Sequence, residues 1–305
     1  MTHEIDGSQR LMIGISKPFA LFEAPDDKHG SVIHVRIFGT FNKPAKLLMF
    51  MKDNSSRNRV TTTETTFEII ELLKKRDGGR LSEIATELGL AKSTIHRHLS
   101  TLKDLEYVIQ EDDVYRTGFR FLEIGEQTRT RCSEYQLAHE KVTALASETE
   151  ERAQFITEEF GRGVYIFREI GEHAVQTDSE IGKRIPIHAT AAGKAILASL
   201  PDSRVDEIIE QRGLPSLTKH TITSKSTLLK EIDEIREQGY SVNDQENTVG
   251  LRAVSVPVKY ENGEPLGALS ISGPTHRFQG ELLEQTLPDL LLGTANELEL
   301  NIQYL

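Results

Sequence analysis

The chain has 305 residues, enough for two domains of ordinary size, and a hydrophobic content of 37% that supports packed cores. Its net charge of −11 excludes a protein that coats nucleic acid by diffuse positive charge, though not one with a local basic surface. The one cysteine, Cys132, excludes an intrachain disulfide, no apolar run reaches the ~20 residues that span a bilayer, and the first residues lack the basic-then-apolar layout of a signal peptide, so the expectation is a soluble cytoplasmic protein with no membrane partner.

The charge is uneven. Residues 1–60 hold nine Lys and Arg against six Asp and Glu, residues 61–125 nine against twelve, and residues 126–305 eighteen against twenty-nine. Residues 1–60 read poorly as a domain. "VIHVRIFGTF" (32–41) suits a strand pair, and "KDNSSRNR" (52–59) is a polar linker. Met51, just before that linker, is a second candidate start, which would make the earlier residues an extension or a start-site artefact. The sequence leaves both readings open.

From residue 61 the pattern becomes periodic. Phe67, Ile70 and Leu73 set one face of an amphipathic helix that "DGG" (77–79) stops. "LSEIATELG" (81–89) is a second, shorter helix with Ser82 as N-cap, an apolar face of Leu81, Ile84, Ala85 and Leu88, and Gly89 at its end. A third helix runs through Leu105, and "YVIQEDDVYRTG" (107–118) makes a hairpin with an acidic turn at Glu111–Asp113. A helical stretch leads away from Phe119, and another covers about 134–149. "AQFITEEFGRGVYIFREI" (153–170) reads as strand, glycine turn, strand. Helices follow near 191–200, 202–212 and 226–238. "RAVSVPVKYENGEPLGALSISG" (252–273) is a hairpin around Asn262-Gly263, and a final helix pair starts near Glu281. Hairpins imply antiparallel pairing, so the second domain is expected to be α+β.

Short helix, glycine turn, longer helix is the helix-turn-helix layout. In the third helix Ile95, Leu99 and Leu102 form the packing face, and at 100° per residue Ser93, Arg97 and Ser100 lie opposite it, flanked by Thr94 and His96. Lys92 stands at the amino end. Hydroxyls and one arginine suit a major groove, since arginine bonds guanine bidentately and hydroxyls reach phosphates or bases. From Gly89 to Lys103 there is no Asp or Glu, as expected where a carboxylate would meet phosphates. A basic surface helix with no such partner has the same residues. His96 and His98 point about 200° apart on a helix and cannot share a metal ion.

"LSEIATELGLAKSTIHRHLSTLKDLEYVIQEDDVYRTGFRFLEIG" (81–125) resembles the winged helix-turn-helix of IclR-type transcriptional regulators. "GKRIPIHATAAGKAILASLP" (182–201), "GLPSLTKHTIT" (213–223), "IREQGYSVNDQENTVGLRAVSVPV" (235–258) and "ALSISGP" (268–274) resemble that family's effector-binding domain, in the same order. The resemblance covers about 60–300. It implies an α+β protein with a winged helix-turn-helix DNA-binding domain (60–122), a linker helix (123–133) and a GAF-like effector-binding domain with an antiparallel sheet (134–305), after the extension 1–58. It implies a homodimer or homotetramer that binds a double-stranded DNA operator and responds to a small molecule, often an organic or aromatic acid. The DNA-binding positions carried over are Lys92, Ser93, Thr94, His96 and Arg97. Ser100 adds to them, with Lys103 and Arg116 as phosphate partners. Glu111, Asp112 and Asp113 depart from the pattern, because a wing tip of carboxylates meets phosphate at a cost.

The same resemblance places Ile185, Ala191, Ala192, Asn243, Ala253, Ser270 and Ser272 around the effector pocket. Ala253 and Asn243 stand where some members carry Cys and Asp, which implies a different ligand or none. The residues themselves are compatible. "ATAAGKA" (189–195) puts small residues at a helix start, where N–H groups meet a carboxylate, and Ser270 and Ser272 face the same way on a strand. Small residues that merely allow close packing give the same pattern. "AAGKA" fails as a phosphate-binding loop, since His188 and Ala195 stand where that motif needs Gly and Ser or Thr. No paired carboxylates or nucleophile–base spacing accompanies it, so no catalytic residue, metal or cofactor is expected, and Lys194 reads as solvated or ion-paired. The alternative to a DNA-reading regulator is a small-molecule-binding or enzymatic α+β protein whose helix-turn-helix does not read DNA.

Overall fold

The computed structural model describes residues 10–13, 20–23, 59–175 and 180–305. Strands β1 (Arg10–Ile13) and β2 (Ala20–Glu23) pair antiparallel, from Arg10↔Glu23 to Ile13↔Ala20. The strand pair expected at 32–41 lies outside the described residues. The chain divides into two compact units. Of the described residues, the first comprises those up to Asp104 with Val108–Thr117, and the second Leu105–Tyr107 with those from Gly118 to Leu305.

In the first unit, α1 (Thr61–Arg76), α2 (Leu81–Leu88) and α3 (Lys92–Asp104) pack with a three-stranded antiparallel sheet. Its strands are β3 (Gly79–Arg80), β4 (Val108–Glu111) and β5 (Val114–Thr117), in the order β3-β5-β4. The core is Ile69, Leu72 and Leu73 with Ile84, Ile95, Leu99, Leu102, Val108 and Tyr115. The face of α1 differs from expectation. Ile69, Leu72 and Leu73 are buried and Phe67 is 58% exposed. Residues 67 and 69 lie about 200° apart on a helix, so burying Ile69 and Leu72 turns Phe67 outward. Helix α2 starts at Leu81. Its first turn is closed by the Glu83 carboxylate, which accepts the Arg80 N–H at 2.9 Å, so Ser82 sits inside the helix rather than capping it. Gly89 ends α2 at φ +64°, and the next N–H, of Leu90, reaches back to the Ala85 carbonyl at 3.0 Å. That left-handed step turns the chain into α3.

The second unit opens with α4 (Arg120–Thr130), which buries none of its residues, and α5 (Ser133–Thr149). A six-stranded antiparallel sheet follows. Its strands are β6 (Arg152–Glu159), β7 (Arg162–Ile170), β8 (Arg184–Pro186), β9 (Ser241–Asp244), β10 (Leu251–Lys259) and β11 (Pro265–Pro274), in the order β8-β7-β6-β11-β10-β9. One face packs on α5 and on α9 (Leu287–Gln303) through Phe155, Val254, Val256, Leu269, Ile271, Leu291 and Leu298. The opposite face packs on α6 (Ala191–Ser199), α7 (Asp202–Arg212) and α8 (Lys225–Gln238) through Ile156, Ile185, Ile196, Val205, Leu228 and Ile232. The expected C-terminal helix pair is instead one continuous helical stretch. A π-helical turn at Leu282–Thr286 runs directly into α9, whose second residue is Pro288.

Candidate functional site

Two groups of polar side chains stand out, one on each unit. On α3, Lys92, Ser93, His96 and Arg97 are exposed, Thr94 and Ser100 are half-buried, and Ile95, Leu99 and Leu102 fill the core. The packing face is therefore the one the spacing predicts. The exposed residues have no side-chain partner among the described residues. His98 turns away from them, and its Nδ1 meets the Thr66 hydroxyl at 2.8 Å.

The wing is built differently from expectation. Asp112, at the tip between β4 and β5, has φ +55°. Arg116 does not project outward as a phosphate partner: its Nε meets Glu111 at 3.2 Å and its Nη1 meets the Asp77 carboxylate at 3.2 Å and the Asp77 carbonyl. Arg80 pairs with Asp113 at 2.7 Å. Lys103 donates to Gln110 at 2.7 Å. The acidic tip thus draws the nearby arginines onto itself. Glu111 and Asp113 are partly neutralised, and Lys103 and Arg116 already hold local partners.

In the second unit the pleat alternates cleanly. Apolar Ala153, Phe155, Val254, Val256, Leu269 and Ile271 face α5 and α9, which leaves their polar neighbours on the α6 side. The register sets these neighbours in two rows across the sheet. One row is Arg152, Ser272, Ala253 and Asn243, and the next is Arg168, Gln154, Ser270, Ser255 and Ser241. Arg152, Ser272, Ala253 and Asn243 of the first row and Gln154 and Ser270 of the second form the floor of a cavity of about 560 Å³, whose walls include Ile185 from β8 and the start of α6. All seven positions expected around an effector, Ile185, Ala191, Ala192, Asn243, Ala253, Ser270 and Ser272, line this one cavity.

Several of these side chains hold the cavity together. Asn243 Nδ2 donates to the Ala189 carbonyl at 2.7 Å, and Ser241 Oγ to the Ala191 carbonyl at 2.6 Å. These two bonds fasten the start of α6 to edge strand β9. Ser270 Oγ donates to the Val254 carbonyl at 3.1 Å. Thr190 caps α6, its hydroxyl accepting the Gly193 N–H at 3.0 Å. Gly193 is required for space, since a Cβ there would lie 1.8 Å from the Ile187 carbonyl oxygen. Close packing, one of the two readings of "ATAAGKA", is therefore present alongside the cavity.

Arg152 and Gln154 are the floor residues that the sequence reading passed over. Arg152 is 6% exposed, and its Nε and Nη2 donate to Ser272 Oγ at 3.0 and 2.8 Å. Burial draws this guanidinium below its ordinary pKa. The missed signal was one residue away. A strand begun at Ala153 omits Arg152, whereas begun at Arg152 it alternates polar and apolar through Phe155.

Behind the cavity wall Lys194 is fully buried, not solvated, and pairs with Glu231 and Glu246. Burial raises the Glu246 carboxyl above its ordinary range, against the pull of Lys194, and Glu246 Oε2 has no hydrogen-bond partner. His188, at the turn before α6, is also buried. Its Nε2–H donates to the Pro215 carbonyl at 3.2 Å, and burial, helped by the Lys194 charge, lowers its pKa. No group of three or more metal-ligating side chains occurs among the described residues, and no helix among them is long and apolar enough to cross a membrane.

The chain matches the model for the bacterial transcriptional regulator IclR C-terminal domain over residues 131–300 and that for the IclR helix-turn-helix domain over residues 62–112. It is 31% identical, over 82% of its length and 97% of the relative's, to a probable HTH-type transcriptional regulator ArcR of Halobacterium salinarum. The crystal structure of Thermotoga maritima IclR superposes with a TM-score of 0.68 at 29% identity, covering 80% of this chain and 99% of that one. An IclR homologue from Microbacterium hydrocarbonoxydans, solved in complex with 4-hydroxybenzoate, shares the fold with a TM-score of 0.69 at 21% identity, covering 80% of this chain and all of that one. With a helix-turn-helix unit, an antiparallel sheet unit and both domain models matched in order, the chain belongs to the IclR family of HTH-type transcriptional regulators.

Proposed function

We propose that α3 is the recognition helix of this regulator and that the cavity over the sheet is its effector site. Lys92, Ser93, Thr94, His96 and Arg97 enter the major groove, with Ser100 at the far end of the contact. Arg97 reads a guanine edge and Lys92 and the hydroxyls hold the backbone. The observation that carries this reading is the face of α3. It is exposed, free of side-chain partners among the described residues and free of carboxylates from Gly89 to Lys103, in a chain of net charge −11. Lys103 and Arg116 reach phosphate only by leaving Gln110 and Glu111, so the wing contributes little affinity.

The cavity takes a small organic acid, and Ile185, Ala191, Ala192, Asn243, Ala253, Ser270 and Ser272 shape it. Asn243 acts by fixing the start of α6. The chain works as a homodimer or homotetramer in the cytoplasm. It reads a pseudopalindromic operator with half-sites about one helical turn, ~34 Å, apart, and it catalyses no reaction.

The test is selection of operator fragments from sheared genomic DNA by the purified protein, repeated with Arg97→Ala. Enrichment of a palindrome that disappears in the variant, with unfolding midpoint unchanged, is the expected outcome. Each good bidentate contact is worth about 1–3 kcal/mol of base discrimination. A variant that selects the same fragments removes Arg97 from the readout. A variant that melts far below the wild type places it in the core.

A further inference from the structure

The cavity floor contains one charge that the fold does not use. Arg152 is 6% exposed, and two of its three nitrogens are spent on one hydroxyl, Ser272 Oγ. Its Nη1 has no hydrogen-bond partner. Among the described residues it forms no ion pair. Glu151, its chain neighbour, instead receives Arg277 at 2.6 and 2.9 Å. A neutral hydroxyl does not offset a buried cation, and an uncompensated buried charge is costly. Stapling β6 to β11 does not require that charge either. The two strands are already joined by their backbone ladder at Arg152↔Ser272.

The rest of the cavity points the same way. Among the described residues its lining includes Arg152, Lys183, Arg184 and Arg252 and no Asp or Glu, although the stretch 126–305 carries twenty-nine acids against eighteen bases. At the rim, Arg184 pairs with Glu159 and Arg252 with Asp244, so their charges are already answered. A second anion-receiving point lies at the start of α6. There Thr190 takes the Gly193 N–H, and the Ala191 and Ala192 N–H groups are first-turn donors with no partner inside the helix. Both residues line the same cavity.

We propose that the effector is a small dianionic acid, a straight-chain dicarboxylate, with one carboxylate on the α6 amino end and the other drawn to the charge of Arg152, which lines the cavity. This rests on the cavity being the effector site, and it narrows the ligand from organic acids in general to those with two separated anionic groups. Arg152 is the residue that sets that specificity. The second carboxylate supplies the counter-charge the fold leaves out, so a monocarboxylate fills only the α6 point.

The experiment is thermal denaturation of the full-length protein with sodium malonate, succinate, glutarate or adipate, against sodium acetate and butyrate at matched ionic strength. It uses the wild type, Arg152→Met and Arg152→Lys. In the wild type at least one dicarboxylate raises the melting temperature several degrees beyond acetate. Arg152→Met loses that excess and keeps an acetate-sized response, Arg152→Lys keeps part of the excess, and ligand-free Arg152→Met melts no lower than the wild type. The proposal is overturned if no dicarboxylate exceeds acetate in the wild type, or if Arg152→Met keeps the full excess. It is equally overturned if ligand-free Arg152→Met melts far below the wild type, which would make the arginine a structural staple. No DNA is present in these measurements, so their outcome is independent of whether the chain selects an operator.

Discussion

On α3, Lys92, Ser93, His96 and Arg97 stand in solvent with no side-chain partner among the described residues, whereas on the sheet floor Ser241, Asn243, Ser255 and Ser270 each bond a backbone carbonyl. Both surfaces are polar and both lie opposite an apolar packing face. The difference is where water is replaced. An exposed helix face keeps its hydration until a partner arrives, so unpartnered groups there cost nothing in the free protein. A buried floor must satisfy its polar groups internally, since each unmet bond costs about 1–3 kcal/mol. Groups left over on such a floor, such as Arg152 Nη1 and Gln154 Oε1, are therefore more informative than exposed ones. Substitutions of the internally satisfied groups of the second unit should accordingly act through stability, and those on the exposed face of the first through affinity.

The sharpest break of that contrast is Gly193→Ala. The new Cβ would sit 1.8 Å from the Ile187 carbonyl oxygen, so α6 must move off the turn that precedes it. Overpacking of this kind costs about 3 kcal/mol. Chemical denaturation should show that loss, and the small-acid response should vanish with it. Unchanged stability would mean that the α6 start yields freely and that the cavity wall is not rigid.

Lys194→Met acts on the same scale. It leaves the Glu246 carboxylate, 6% exposed as a residue, without its cation, and Glu231 beside it. Breaking a buried pair by removing one partner costs about 3–5 kcal/mol. Combining it with Glu246→Gln should recover a large part of the loss, because the amide carries no charge to bury. A double variant as unstable as the single one would show that Lys194 matters through packing of its stem alone.

On the first unit the corresponding change is small and appears in binding. Asp112→Asn keeps a residue type that tolerates φ +55° while removing one charge at the wing tip. Operator affinity should rise by a factor of a few, corresponding to about 0.5–1 kcal/mol for an exposed charge. The gain should shrink as salt is added. An affinity independent of residue 112 at low salt would place the wing away from the phosphates.

The two regions also differ in how far sequence alone reaches. The exposed polar face of α3 follows from spacing, because 3.6 residues per turn is a local rule and Ile95, Leu99 and Leu102 leave no other choice of core. The same rule misplaced Phe67. In α1 the apolar residues Phe67, Ile69, Ile70, Leu72 and Leu73 admit two faces, and packing in the first-unit core selects the one through Ile69. The cavity is less legible, because its floor depends on six strands aligned from distant parts of the chain. Ser272 meets Arg152 across 120 residues. Strands β8 and β9, of three and four residues, carry too little alternation to be read, yet β9 delivers Asn243 to the row. Family resemblance supplied Asn243 and the serines. It could not supply Arg152, which only the register brings beside Ser272.

The smallest expected effect is one of pH, and it belongs to the second unit. Burial lowers the pKa of His188 from its ordinary 6.5, so the native state holds the ring neutral while the unfolded chain takes up a proton. Its contribution is complete above pH 6.5 and is lost as pH falls from there through the lowered native value. Glu246 acts in the opposite direction. Its raised pKa means that stability is lost as pH rises from the ordinary 4.5 towards the native value, where the unfolded chain ionises first. The two groups therefore tilt the stability profile in opposite directions between these limits. His188→Gln removes one arm while its amide can still donate to the Pro215 carbonyl. Denaturation midpoints of the variant between pH 4.5 and 6.5 should then fall with rising pH relative to the wild type. A parallel profile would mean that His188 takes up its proton in the folded protein as readily as in the unfolded one, and that the turn before α6 is open to water.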